Sequence, residues 1–327
     1  VPSDYASDPI PTVARLGREE RWDHAKARLG FDRMGHHVRP GLYTLGSTNS
    51  ESKVLVTANY TMSFDALRSA LEGRDAFLLV LDTQGINVWC AAGKGIFGTD
   101  ELLRAIAATR LAERVEHRDL ILPQLSAPGV SAKAVKERSG FTVKYGPVRA
   151  EDLPGYLDTG ECTEDMRRVR FDLRDRLVLA PVELRNYRWG LILLILAAVL
   201  VPFYGLMAII LTLGGLFLFP ALLPYLPGKA LSFKGMVLGA LLVTPFALFQ
   251  TFPTADLVTV IAVVAEYLLL VPWVGYLALN FTGSTPFASR TGVKKEIFTY
   301  IPIMAIMSVS GAFLSAFGAL GVVGGWL

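Results

Sequence analysis

Few side chains in this sequence can do chemistry, and one of them sits in an unusual setting. Cys90 lies in the run Gly85-Ile86-Asn87-Val88-Trp89-Cys90-Ala91-Ala92-Gly93-Lys94. A cysteine there has three ordinary uses: a buried structural thiol, a nucleophile, or a soft donor to a ligand. The surrounding residues predict a helix starting near Cys90, and the free amides of a helix start favour a thiolate. Lys94 follows about one turn on. Ala91, Ala92 and Gly93 are small, which leaves that helix face nearly bare and open to a flat, bulky ligand. A nucleophile needs a base, and none of the four histidines has an evident approach to Cys90. Cys162 is the second cysteine. Two cysteines cannot by themselves ligate a cubane cluster or build a disulfide framework, and a Cys90–Cys162 bridge is disfavoured.

The elements that must position Cys90 read as an α/β domain. Residues 76–81, Ala-Phe-Leu-Leu-Val-Leu, form a short apolar run expected to be a fully buried strand. Residues 53–57 are a second such strand, and 42–45 a third candidate. Between the first two, Ser63 is placed to cap a helix that Gly73 ends. This strand–turn–helix–strand rhythm is that of a parallel sheet, which puts the Asn59 turn and the Gln84 turn at one edge. That edge is where α/β folds place ligands. Thr99 is placed to cap the helix over 100–110, and Ser131 the helix over 132–138. Strands are expected at 118–122 and 141–145, with the last turns at Gly146-Pro147 and over 153–157. The 1–11 stretch is expected to be poorly ordered. The sequence opens on Val1 without Met or a secretory signal, so it is expected to be trimmed or incomplete there. His36 and His37 sit before Arg39-Pro40-Gly41 and read as surface loop residues.

Charge divides the 327 residues into two parts. Charged side chains are frequent up to Arg188 and sparse afterwards, although mean hydropathy over the whole is +0.42. Residues 1–184 therefore read as a soluble domain with a charged C-terminal linker, and 185–327 as a transmembrane domain. The net charge of +3, with basic residues scattered, gives no case for nucleic acid. Five spans are expected: two within 189–225, then 233–252, 257–279 and 300–323. Arg185, Arg188, Lys229, Lys234, Arg290, Lys294 and Lys295 fall on one side of such a bundle. The 251–256 loop, without basic residues, falls on the other. The positive-inside rule then places the soluble domain in the cytoplasm and the C-terminus outside. Glu266 lies within the fourth span. It reads either as a neutral or hydrogen-bonded structural carboxylate or as the one hint of a membrane transporter. Gly311, Ser315 and Ala319 recur every fourth residue and suggest close helix packing.

The octapeptide Asn87 to Lys94 resembles the signature of the mercury-methylating corrinoid proteins. The likeness extends through Val54-Leu55-Val56-Thr57-Ala58-Asn59-Tyr60, Ser63-Phe64-Asp65-Ala66-Leu67, Leu81-Asp82-Thr83 and the residues from Gly95 to Leu102, and on into the membrane half. Those proteins are related to the large subunit of corrinoid iron–sulfur proteins, which carry a cluster motif that is not found here. Asp-x-His-x-x-Gly, which supplies a histidine to cobalt in other methyltransferases, is not found either; Asp23-His24 does not fit its spacing.

The resemblance implies a Rossmann-like corrinoid-binding domain followed by a five-helix transmembrane domain, in the cytoplasmic membrane of an anaerobe. It implies cobalamin or a related corrinoid, with the Cys90 thiolate as lower axial ligand of cobalt. Asn59, Tyr60, Thr61, Thr83, Asn87, Val88, Trp89, Ala91, Gly93 and Lys94 are its expected neighbours, with Trp89 bracing the cap helix. The implied reaction is methyl transfer to Hg(II) delivered as a thiolate complex, with Cys162 a candidate aid to delivery. The implied partners are a ferredoxin-like protein with two [4Fe-4S] clusters and a methyl donor linked to methyl-folate. The alternatives are a corrinoid methyl carrier in one-carbon metabolism and a corrinoid-binding membrane transporter.

Overall fold

Ala76–Leu81 is apolar at all six positions, and every one of its side chains is buried. A strand of that composition is stable only with both faces covered. The computed structural model, which describes residues 5–32, 35–252, 256–286 and 289–325, provides that cover. The chain divides into two compact units, Val1–Val169 and Arg170–Leu327.

The first unit is built on a six-stranded sheet in the order β1-β2-β4-β3-β5-β6. Its strands are β1 (Ala6–Thr12), β2 (Gly41–Leu45), β3 (Lys53–Ala58), β4 (Ala76–Leu81), β5 (Asp119–Leu122) and β6 (Thr142–Tyr145). β3, β4, β5 and β6 are mutually parallel, as the sequence rhythm predicts. β2 runs antiparallel to β4, so the sheet is mixed. β1 pairs parallel with β2, and this corrects the expectation of a poorly ordered start. Residues 1–4 lie outside the described residues.

Alternation along the central strands sorts two cores. Val54, Val56, Phe77 and Leu79 face one side, where they meet Leu102, Ala105 and Ile106 of helix α4 (Thr99–Ala108). Leu55, Leu78 and Val80 face the other side, against Phe64 and Leu67 of helix α2 (Thr61–Ala70). The helix Arg18–Arg28, α1, buries none of its residues. α2 begins at Thr61 with no side-chain cap, so Ser63 lies inside the helix rather than at its cap. Thr99 likewise opens α4 without capping it; its hydroxyl accepts from the Ser131 backbone N–H at 2.8 Å.

Among the described residues, the second unit holds four helices long and apolar enough to cross a membrane: Pro202–Leu222, Leu231–Thr251, Leu257–Phe281 and Thr291–Gly324. This corrects the expected five. Arg188–Leu200 is apolar but has 13 residues, a length of about 20 Å against a hydrocarbon core of about 30 Å. Pro202 opens the next helix at once. The two pack closely because Gly205 has no side chain: a Cβ there would lie 2.2 Å from Ala198 Cα. Gly235 performs the same service between the Leu231–Thr251 and Leu257–Phe281 helices, where a Cβ would lie 2.8 Å from Val274 O. Residues 170–184 pack within this unit. Phe171 and Leu179 lie on its core, and Arg176 donates to the Ala221 carbonyl at 3.5 Å.

Candidate ligand site at the sheet edge

The parallel strands β3 and β4 end in register, with Ala58 beside Leu81. Each then needs a turn, and Asn59 holds the two turns together. It is 2% exposed. Its Oδ1 accepts from Thr83 N–H at 3.0 Å and from Gly85 N–H at 3.0 Å, and lies 2.9 Å from Thr83 Oγ1. Its Nδ2 donates to Asp82 Oδ1 at 3.3 Å. Thr83 Oγ1 also lies 2.6 Å from the Ile86 carbonyl and has one proton to give. Gln84 and Gly85 reverse the chain with φ of 57° and 70°, the left-handed region that Gly85 enters without strain.

This turn delivers helix α3, Val88–Gly93. The Asn87 side chain caps it by accepting from the Cys90 backbone N–H at 2.9 Å. The helix thus starts two residues before Cys90, and its faces are set accordingly. Val88, Ala91 and Ala92 fall on the inner face and are buried in the sheet core. Trp89, Cys90, Gly93 and Lys94 are exposed. The bare face is therefore not made by the alanines. It is made by Gly93, where an added Cβ would meet nothing within 4 Å. The Cys90 thiol is free and exposed.

Tyr5, just ahead of β1, secures the same edge. Its hydroxyl donates to Glu101 Oε1 at 2.5 Å and accepts from Asp82 N–H at 3.1 Å. Burial, and next the hydrogen bond to the Glu101 carboxylate, push its phenol far above the ordinary range.

Beside α3 lies an apolar cavity of about 340 Å³ at the C-terminal ends of β3, β5 and β6. Thr57 and Ser63 form one wall, Asn87, Val88 and Trp89 a second, and Pro123, Pro147 and Val148 a third. Trp89, 41% exposed, lines this space rather than bracing the helix from behind. Asn59 and Thr83 support the site from within and do not line the cavity; Tyr60 and Thr61, half-buried, form the start of α2. Pro123 and the Gly146-Pro147 turn, which directly follow parallel strands, line the cavity although neither is among the ligand neighbours expected from the sequence.

His24, His36 and His117 bond within the fold. His36, 5% exposed, bonds Asp23 Oδ1 at 2.8 Å and the Phe31 carbonyl at 2.6 Å, so it is no surface residue. His24 bonds Asp65 Oδ2 at 2.7 Å, and Arg68 pairs with Asp65 and Glu20. Cys162 is a free, half-buried thiol packed on the α2 side of the sheet. No cluster of three or more His, Cys, Asp or Glu suited to a metal ion occurs among the described residues.

Fold and site define a mixed α/β domain with one exposed thiol on a capped helix at the sheet edge, followed by a bundle of long apolar helices. The family described as CO dehydrogenase/acetyl-CoA synthase delta subunit matches residues 32–157. The gamma subunit of the acetyl-CoA decarbonylase/synthase complex of Methanopyrus kandleri is 33% identical over 129 residues, 38% of this chain and 27% of that protein. The gamma subunit of Methanothermobacter thermautotrophicus is 32% identical over 123 residues, covering 37% and 26%. That of Methanosarcina acetivorans is 30% identical over 125 residues, covering 37% and 26%. The chain thus spans about a quarter of the length of these relatives. These findings correct the resemblance drawn from the octapeptide. The relatives found are named for acetyl-CoA decarbonylase/synthase, and mercury methylation has no support among them. The Hg(II)-thiolate substrate and the two-cluster ferredoxin partner, which rested on that resemblance, fall with it.

Proposed function

We propose that the first unit is a Rossmann-like module that binds a cobalt corrinoid at the edge formed by β3, β4 and α3, and serves as a methyl carrier in one-carbon metabolism. The observation that carries this reading is the exposed Cys90 thiol on a capped helix, beside a face with no side chain at Gly93. The residues fit the group in kind. A thiolate is a soft donor suited to cobalt, and the open face accepts a flat ring. The cavity beside Trp89 is too small for the ring itself and suits one of its side arms. The relatives, named as subunits of an acetyl-CoA decarbonylase/synthase complex, favour one-carbon chemistry and other subunits as partners.

When bound, the corrinoid supplies a metal that carries a methyl group. The chain's own residues hold that metal's surroundings. Cys90 would hold the metal through its sulfur. Asn87 fixes the Cys90 backbone, and Asn59 fixes the turn that carries α3. Trp89 and Val88 keep water from the cavity side. The second unit places the module at a membrane. Lys229, Lys234, Lys294 and Lys295 cluster at one end of its bundle, and the positive-inside rule assigns that end to the cytoplasm.

The test is anaerobic purification followed by a cobalt assay and a single turnover. The expected result is about one cobalt corrinoid per chain, able to take up a methyl group and release it to a thiol or nickel acceptor. A purified chain that neither retains nor takes up a corrinoid would overturn the reading.

A further inference from the structure

The second unit holds a larger cavity, about 670 Å³, lined by one carboxylic acid, Glu266. Nothing in the corrinoid reading uses it. Its walls come from three helices: Tyr204 and Met207 from the first long helix, Val258, Ile261 and Leu270 from Leu257–Phe281, and Leu314 and Val322 from the last. The space exists because the last helix turns Ser315, Gly318 and Ala319 toward it, all small residues. Two members of the Gly311, Ser315, Ala319 stripe thus open a cavity; Gly311 alone makes the close packing, where a Cβ would lie 2.9 Å from Leu268 Cβ.

Glu266 reaches this space and is 6% exposed. Its two oxygens lie 3.0 and 2.9 Å from one donor, Gln250 Nε2. No Lys, Arg or His pairs with it among the described residues. The Ser315 hydroxyl is committed to the Gly311 carbonyl at 2.9 Å. A carboxylate accepts about four hydrogen bonds, and one amide leaves most of that capacity unused. An acidic residue at membrane depth ordinarily faces a partner or a pathway. Glu266 lies nine residues into its helix, about 14 Å from the helix start. Val258 and Val322 line the cavity toward that same end of the bundle.

We propose that this cavity binds a lipophilic amine, with its ammonium group on Glu266 and its apolar body along the valine, leucine and isoleucine walls. An ammonium group supplies up to three donors and the missing charge together. The volume falls within the range of small-molecule sites, about 300–1,000 Å³. A neutral alcohol fits the walls but leaves the charge uncompensated; a fatty acid brings a second carboxyl to the first.

The experiment measures saturable binding of radiolabelled decylamine to the full chain in detergent, with decanol and decanoate as competitors. Displacement by unlabelled decylamine is expected at concentrations at least tenfold below those needed for decanol, with none by decanoate. Glu266→Gln should weaken binding at least tenfold, and Ala319→Phe, which fills the cavity and leaves the carboxylate in place, should abolish it. Undiminished binding in a folded sample of either variant overturns the proposal, as does equal competition by decanol. Should Glu266→Gln fail to fold, Ala319→Phe and the competitor series decide alone.

Discussion

Asn59 Oδ1 accepts the Thr83 backbone N–H at 3.0 Å, and through that bond the turn after β3 holds the turn after β4. The same oxygen takes the Gly85 N–H, so one buried amide organises the approach to Cys90. Asn59→Ala would leave two backbone donors without a protein acceptor. A loss of about 2–6 kcal/mol is expected, at about 1–3 kcal/mol for each unsatisfied group, read by urea titration of the detergent-solubilised chain. Asn59→Asp keeps the acceptor but sets a carboxylate where Nδ2 now donates to Asp82 at 3.3 Å. It should recover part of the loss at low pH and less at neutral pH. A fully stable alanine variant would contradict this role.

Tyr5 ties the first strand to the same edge by accepting the Asp82 N–H and donating to Glu101. Tyr5→Phe removes both bonds and should lower stability by about 1–3 kcal/mol. Hydrogen exchange at the Asp82 amide should accelerate in the variant. Equal protection in both proteins would mean that the bond is not held in solution.

The strands were legible because β3 and β4 carry apolar side chains on both faces, a pattern that few other elements share. β1 was not legible, since Ala6–Thr12 contains two prolines and an aspartate. Those residues are tolerated because the strand lies at the sheet edge, where ladder donors are not all needed. The Cys90 helix was legible as an element, but its start was misplaced by two residues. That shift turned Ala91 and Ala92 from an assumed open face into core, because Val88, Ala91 and Ala92 share one face at helical spacing. The cavity walls after β5 and β6 come from residues more than thirty positions away from Cys90, and only the folded sheet brings them to it. In the second unit, hydropathy fixed where apolar helices occur, while Pro202 decided that the first of them ends short.

His36 should make stability depend on pH. Burial opposes its charged form, but the Phe31 carbonyl and the Asp23 carboxylate outweigh that, with Asp32 adding to them, and raise its pKa above the ordinary value. A raised folded-state pKa means that the contribution is fully present below the unfolded value of about 6.5 and fades as pH rises through the folded value. Tm should therefore fall between about pH 6 and pH 8 in the native chain more than in His36→Gln. Parallel profiles would contradict the assignment.

Gly235 lets two long helices meet at backbone distance. Gly235→Leu cannot be accommodated without moving Val274 and Ala278, and overpacking of this kind costs about 1–3 kcal/mol. The variant should melt earlier in detergent and yield less folded protein, whereas the exposed Gly93→Ala, whose Cβ meets nothing within 4 Å, should leave the melting temperature of the second unit unchanged. Equal behaviour of the two variants would argue against close packing at Gly235.

The central claim is that the Cys90 thiolate is the axial ligand of a bound corrinoid. The most direct measurement is the visible absorption of the cobalt corrinoid on the anaerobically reconstituted chain, recorded for the native sequence, Cys90→Ala and Cys90→His. The account expects a sulfur-ligated spectrum that is lost in Cys90→Ala and replaced by a nitrogen-ligated one in Cys90→His. Identical spectra for the native and Cys90→Ala proteins, at equal corrinoid occupancy, would contradict it.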